Sequence, residues 1–473
     1  MQLHFLHCIN ILTIYSDESE IGESLASQNS VKEPSPQYDG SLKIDRISYD
    51  PSIELGAGAM ETKVFQGTFE GRRKVAVKRV MAEFWSNADR EQALFLQADD
   101  HENVLRYYAT EFCSRYCYIA LELCEATLEQ FVEADHPKHY DNPKVNGMEI
   151  LKQALHGIDY LHNLDKPIVH RDIKPSNVLI YVPNGASDPR GKIADLGLSK
   201  QLKPHRQTFT MSTKSGTAGW MAPEVIKEMV KKVDGDKAKF TASLKVDIFC
   251  SGLLLYYVKS KGKHPFDEED DDDDQLIRNY NIKKGKYNLK ALDQTHDGMH
   301  LNLIEKMITA EPTKRPCMKA CLNHPVFWEH KRILEFFRKA SDYLKEGSNV
   351  PSSVKTAIEE NGTVFTSSNW ISEMDPIIQT DLKENKYTKY DGKKVEHILK
   401  AIRDFYHHFN KKTPEVRGTL TYVRGVQESF EKGLVEYFLE KFPSLLLHTF
   451  KVLESCKSND LLAEFYDTKY LFS

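Results

Sequence analysis

Hydrophobic and polar positions follow three regimes along the chain. From about Ile47 they alternate in short runs such as KVFQGTFEG and RKVAVKRV, then DREQALFL intervenes, and further alternation ends in CYIALELC. Period-two alternation predicts half-buried strands, with DREQALFL as a helix between them. After Cys124 the apolar residues recur at three- and four-residue spacing, as in ATLEQFVEA and GMEILKQALHGIDYLHNL, which predicts helices. A β-rich part followed by a helical part implies two lobes of one unit.

The third regime begins after EGSNVPSS, near Glu346–Pro351, where a helical pattern breaks. In VEHILKAIRDFYHHFNKK a helix places Val395, Ile398, Leu399, Ile402, Phe405 and Phe409 on one apolar face. Arg403, Asp404, His407 and His408 then fall on the other side, with Asp404 and His408 one turn apart. Residues 1–43 have little periodicity. The polar stretch from Ser16 to about Lys43 reads as a flexible lead-in. The run DEEDDDDD at Asp267–Asp274 reads as a solvated surface loop, because like charges repel.

Composition narrows these readings. With 473 residues the chain can hold two or three domains, and its net charge of −5 excludes a global field that would draw nucleic acid. An RNA site would have to be local. Between Lys383 and Arg417, ten Lys and Arg face five Asp and Glu, a balance that suits RNA. The eight cysteines are scattered, and Cys113/Cys117 and Cys317/Cys321 have no second ligand pair nearby, so reduced thiols are expected. The opening MQLHFLHCINILTIYS is apolar but short and broken by His4, His7 and Asn10, and no later run reaches spanning length. The pattern thus predicts no membrane span and a cytoplasmic chain.

Candidate chemistry starts at LGAGAMETKV. Gly56 and Gly58 suit a loop whose backbone closes over phosphates, and Val64 falls where an apolar residue would cover a nucleotide base. Glu61 stands where a third Gly is usual and brings an acid near an anion. VAVK ends a strand at Lys78, placing an ammonium for the α and β phosphates, and Glu91 in DREQALFL can pair with it. HRDIKPSN supplies Asp172 as catalytic base, Lys174 for the transferring phosphoryl group and Asn177 as a metal ligand. Asp195 in ADLGLSK would hold Mg2+, with Leu196 replacing the usual Phe. In GWMAPEV, Glu224 can pair with Arg315 of EPTKRP. The hydroxyls Thr208, Thr210, Ser212 and Ser215, near Arg206 and Lys214, are candidates for phosphorylation that orders the loop, including by pairing with Arg171.

In that order and spacing, these motifs resemble a eukaryotic protein kinase from about residue 48 to 330. NWISEMDPIIQTDL, YTKYDGKKVEHILKAIRDFYHHF and FPSLLLHTF resemble the helical ribonuclease domain behind the kinase in the inositol-requiring kinase/endoribonucleases of the unfolded protein response and in the more distant ribonuclease L. The resemblance implies an α+β chain: a bilobal kinase fold over 44–330, with its N-lobe ending near 124, and a small all-α KEN-type ribonuclease domain over 331–473. It implies ATP with Mg2+, contacts from Glu122 and Cys124 beside those named, and ADP as a regulatory ligand. A homodimer or higher oligomer and single-stranded or stem-loop RNA are the implied partners.

RNA carries its own nucleophile, the 2′-hydroxyl, so its cleavage needs proton transfer and phosphate donors rather than a metal. The resemblance assigns His408 as general acid, Tyr390 as the group assisting at the 2′-hydroxyl, and Arg403 as the phosphate holder. Where the family has Asn, Asp404 stands; loss of one such donor commonly costs about 3 kcal/mol. Two alternatives remain open: an active kinase whose C-terminal domain only dimerises, and a non-catalytic ATP-binding scaffold. Family members of this type carry a lumenal sensor and a membrane span before the kinase. If the chain is a fragment of such a protein, its place is the cytosolic face of the endoplasmic reticulum.

Overall fold

The computed structural model describes residues 33–58, 61–82, 101–183, 188–202, 208–211, 216–233, 240–268, 275–346, 350–360, 364–384 and 389–466. The opening apolar stretch, the helix predicted around Glu91, and most of the acidic run lie outside them.

Seven strands form one sheet: β1 (Ser35–Pro36), β2 (Leu42–Ile44), β3 (Ile47–Ala57), β4 (Lys63–Phe69), β5 (Arg73–Met81), β6 (Tyr107–Phe112) and β7 (Tyr116–Glu122). They lie in the order β1-β2-β3-β4-β5-β7-β6, antiparallel wherever they pair. Alternation divides β5 between two cores. Val75 and Val77 face a cluster with Ile44, Ile47, Tyr49 and Phe65 on one side, whereas Ala76 and Val80 pack toward the helical lobe. The structure departs from the sequence pattern at two places. The lead-in is not structureless to residue 43: Ser35 pairs with Lys43 and Leu42 with Tyr49, because Leu42 packs on the small outer core. Two- and three-residue strands are too short to show a period. Nor is all of the acidic run solvated, since Asp267 is mostly buried and paired with Arg278.

The helical lobe is built on α1 (Gly147–His162), whose first turn is capped by the Asn146 side chain accepting from Met148 and Glu149 N–H, and on α2 (Lys245–Lys259). Apolar residues occur almost all round α2, and the helix is buried over nearly its full length. Thr208–Met211 pairs antiparallel with Phe240–Ser243. Arg315 lies fully buried and donates to both Glu224 oxygens at 2.7 and 2.8 Å, the pairing expected from the motifs.

A separate apolar cluster starts at Trp328 and runs to Tyr466. It is built on α3 (His330–Lys345), α4 (Val395–His408) and α5 (Phe430–Lys441). The predicted face of α4 is the buried one, with Val395, Ile398, Leu399, Ile402 and Phe405 all in the core and Phe409 partly so. Phe336 on α3 packs against Trp328, Phe450, Phe465 and Tyr466. Arg332 donates to Asn323 Oδ1 at 2.8 Å and to the Glu464 carbonyl at 3.0 Å, tying the end of the chain to the helical lobe. No helix among the described residues is long and apolar enough to cross a membrane.

Candidate active sites

Strand register assembles the first site. Gly56 on β3 lies opposite Val64 on β4, and Val64 lies opposite Lys78 on β5. Directly opposed residues share a sheet face, so Gly56, Val64 and Lys78 form one row. Gly58 closes the turn through its N–H to the Thr62 carbonyl at 2.8 Å. Glu61 has φ +56°, the left-handed region that disfavours side chains. The usual glycine at this position therefore serves the backbone as well as the anion.

Lys78 Nζ lies 2.9 Å from Asp195 Oδ1, and the lysine holds that carboxyl far below its usual range. Asp195 itself is left-handed, φ +65°, and accepts the Gly197 N–H at 3.3 Å. Leu196, in place of the usual Phe, is buried in the helical-lobe core. Asn177 Nδ2 donates to the carbonyl of Asp172 at 2.8 Å and to its Oδ2 at 2.9 Å, which orients the amide oxygen to the other side. Ala194 N–H donates to the Asn177 carbonyl at 2.9 Å, so the two predicted metal ligands stand on adjoining chain segments. One amide oxygen and one carboxylate are hard donors of the kind Mg2+ takes alongside phosphate oxygens, so these residues fit the ion.

Lys174 Nζ sits 3.0 Å from Asp172 Oδ2 and donates to Thr217 Oγ1 at 2.7 Å; Thr217 donates to Asp172 Oδ1 at 2.6 Å. Thr217 was missed in the sequence, where nothing local distinguishes it from the neighbouring hydroxyls. Asp247, also missed, is fully buried and braces the catalytic segment, accepting from His170 and Arg171 N–H at 2.8 and 2.9 Å and pairing with His162 Nε2 at 2.8 Å. At the end of β7 the Glu122 carboxylate is taken by Lys192 at 2.9 Å and its N–H by the Arg106 carbonyl at 2.9 Å. Cys124 follows, its thiol pushed up by burial and by the neighbouring Glu122. Glu91 lies outside the described residues.

The second site is built on α4. Tyr390 donates its hydroxyl to Asp404 Oδ2 at 2.8 Å, and Arg403 donates to Asp404 Oδ1 at 3.3 Å. Arg403 also donates to Asp342 Oδ1 on α3 at 2.9 Å, a partner that the sequence did not suggest. Burial, then the Asp404 charge, push the Tyr390 phenol well above its usual range. The loop carrying Tyr390 is fixed by Trp370, whose Nε1 donates to the Asp391 carbonyl at 3.1 Å. A side chain on Gly392 would collide with Asn369 Oδ1, so that close approach requires glycine. His408 is exposed at the end of α4, one turn beyond Asp404, its ring making no hydrogen bond among the described residues. His397 and His448 are engaged by backbone groups: His397 Nδ1 accepts from Asp391 N–H and His448 Nε2 contacts the Ile358 carbonyl. The site thus holds an exposed imidazole, a phenol, a guanidinium and a carboxylate, enough for proton transfer and phosphate contact without a metal.

Residues 49–327 match the protein kinase domain family, and 333–466 match the family Ribonuclease 2-5A. The chain is similar to the human serine/threonine-protein kinase/endoribonuclease IRE2, with 37% identity over 94% of this chain and 46% of the relative. It is similar to Caenorhabditis elegans ire-1, of the same description, with 35% identity over 89% of this chain and 41% of the relative. It is also similar to the Schizosaccharomyces pombe sensor for unfolded proteins in the ER, ire1, at 34% identity over 88% of this chain and 38% of the relative. The chain thus spans less than half the length of each of these relatives. With its kinase match spanning more than half of its length, the chain belongs to the protein kinase domain family, and behind the kinase it carries a Ribonuclease 2-5A domain, just as the kinase/endoribonucleases it is similar to are named for both activities.

Proposed function

We propose that residues 44–330 transfer the γ-phosphoryl group of ATP to serine and threonine hydroxyls, first on a second copy of this chain, and that residues 331–473 cleave single-stranded RNA loops. The observation carrying this reading is that one chain holds both reactive clusters, with Arg332 donating to Asn323 on one side and to the Glu464 carbonyl on the other. In the kinase, Asp172 takes the hydroxyl proton, Lys174 stabilises the phosphoryl group, and Lys78 holds phosphates from the row it shares with Val64 and Gly56. Asn177 and Asp195 would hold Mg2+, which supplies charge neutralisation on the phosphates when bound. Nucleotide, ATP or ADP, would favour a homodimer or higher oligomer that pairs two ribonuclease domains. Single-stranded loops suit such a site as substrate, because their unstacked bases and 2′-hydroxyls are accessible.

In the ribonuclease, Tyr390 would act at the 2′-hydroxyl, Arg403 at the scissile phosphate and His408 as the acid that protonates the leaving 5′-oxygen. A second reading, a kinase whose C-terminal domain only dimerises, is favoured by Arg403 being held by two carboxylates, Asp342 and Asp404. The test is incubation of a stem-loop RNA with the protein, ADP and Mg2+, beside His408→Ala, with label transfer from ATP measured in parallel. Products ending in 2′,3′-cyclic phosphate that vanish in the variant support the ribonuclease. Label transfer with intact RNA at dimer-forming concentrations supports the second reading, and absence of label transfer sinks the kinase.

A further inference from the structure

Asp404 is the residue whose chemistry the proposed ribonuclease leaves unexplained. A carboxylate beside a phosphate site would be a burden if its only part were the one an amide donor plays. Its contacts point elsewhere. Tyr390 has a single hydroxyl hydrogen, and it is directed at Asp404 Oδ2 at 2.8 Å. The other oxygen of Asp404 takes Arg403 at 3.3 Å, and Arg403 is anchored in turn to Asp342 at 2.9 Å. The phenol and the carboxylate are both only partly exposed, and the groups bearing on the phenol are Asp404, Asp381 and Arg403, with Lys400 Nζ 5.9 Å from its ring.

This geometry matters because a neutral phenol is a poor base. It can take a proton on its oxygen only while giving up the one it holds, and the acceptor for that proton must already be hydrogen-bonded. A carboxylate can take it up. An amide, which can accept a hydrogen bond, cannot. We propose that Asp404 is a positioning residue that turns the Tyr390 hydroxyl into a proton relay, receiving the phenolic proton as Tyr390 receives the proton of the RNA 2′-hydroxyl. The inference rests on the ribonuclease reading above.

The step balances. The 2′-O–H bond breaks and its proton bonds to Tyr390 Oη as the phenolic proton moves to Asp404 Oδ2. The freed electron pair of the 2′-oxygen forms the bond to phosphorus. The P–O5′ bond breaks, its pair goes to the 5′-oxygen, and His408 protonates that oxygen. Tyr390 stays neutral throughout, while Asp404 loses its negative charge as charge builds on the phosphate. Repulsion present with bound substrate is therefore relieved in the transition state, the differential that raises kcat rather than binding.

The experiment is steady-state cleavage of the stem-loop RNA by the full chain, by Asp404→Asn, by Tyr390→Phe and by the double variant. The relay predicts a fall in kcat of tenfold or more for Asp404→Asn, with KM unchanged or lower because a negative charge has gone. It predicts that adding Asp404→Asn to Tyr390→Phe costs nothing further, since both cut the same path. Tyrosine 13Cζ resonances give a reading that loss of local packing would not imitate: the Tyr390 signal, assigned through Tyr390→Phe, should move upfield in Asp404→Asn as the phenol loses its anionic acceptor. Equal or faster cleavage by Asp404→Asn, or an unmoved Tyr390 signal, overturns the relay while leaving the ribonuclease intact. If the wild-type chain and every variant leave the RNA uncut, the ribonuclease reading itself fails and the relay falls with it.

Discussion

The buried pair of Arg315 and Glu224 allows a sharp test of how the kinase C-lobe is held. The Arg315 side chain is 0% exposed and Glu224 17%, and the guanidinium bridges both carboxylate oxygens. Its remaining donors go to the carbonyls of Thr309 at 2.7 Å, Lys245 at 2.9 Å and Ala310 at 3.2 Å. Glu224→Gln keeps the shape but removes the charge, and its amide sets a donor against a guanidinium donor. Breaking one side of a buried pair costs about 3 to 5 kcal/mol, and the three carbonyls keep the loss toward the lower end, at about 3 kcal/mol. With an m-value of about 3 kcal/mol/M in urea, the midpoint falls by about 1 M. The assay is urea unfolding by tryptophan fluorescence, with the kinase transition identified as the one that nucleotide shifts upward. Replacing both partners, as in Glu224→Leu with Arg315→Met, should recover most of the loss, because it removes the orphaned charge along with the pair. A midpoint within about 0.3 M of wild type in the single variant would refute the argument, as would a double variant less stable than the single one.

Two further outcomes follow from local chemistry. His264, His300 and His324 are held to about 3, 4 and 3, chiefly by burial, so they stay neutral in the fold near pH 6 while their unfolded counterparts bind protons. Their contribution is present above the unfolded value of about 6.5 and is lost as pH falls below it, at up to about 1.4 kcal/mol per pH unit for each. The thermal midpoint should drop between pH 6.5 and 5, and His324→Gln should flatten that slope; an unchanged slope would sink the assignment. Glu61→Gly removes an acid from the phosphate loop and relieves a left-handed backbone at φ +56°. Strain relief of about 1 kcal/mol is offset by glycine's greater freedom in the unfolded chain, so the melting temperature should barely move. ATP affinity, measured calorimetrically, should rise by about fivefold for about 1 kcal/mol of lost repulsion, and unchanged or weaker binding would refute the charge argument.

Much of this protein was legible in its residue order because the relevant physics is local. Alternation marked β4 and β5, and helical spacing marked both α1 and the buried face of α4. Candidate phosphate and metal contacts could be named from the sequence because such chemistry requires particular side chains at fixed short offsets, as in Asp172, Lys174 and Asn177. Pairings between distant segments have no such period. Thr217 reaches Asp172 across 45 positions, and Arg403 reaches Asp342 across 61. Asp247 looks like any helix acid until the fold buries it under the His170–Arg171 backbone. The lead-in strands escaped notice because two or three residues carry no pattern, and they gain order only by pairing with a sheet that already exists. Glu61 shows the same division. Its charge is plain in the sequence, but its strained backbone follows from the turn that β3 and β4 together impose. At Asp404 the chain alone shows a donor lost, while the fold, by placing Tyr390 within 2.8 Å, shows an acceptor gained. Residue type sets what a side chain can exchange, and only the tertiary structure decides with whom.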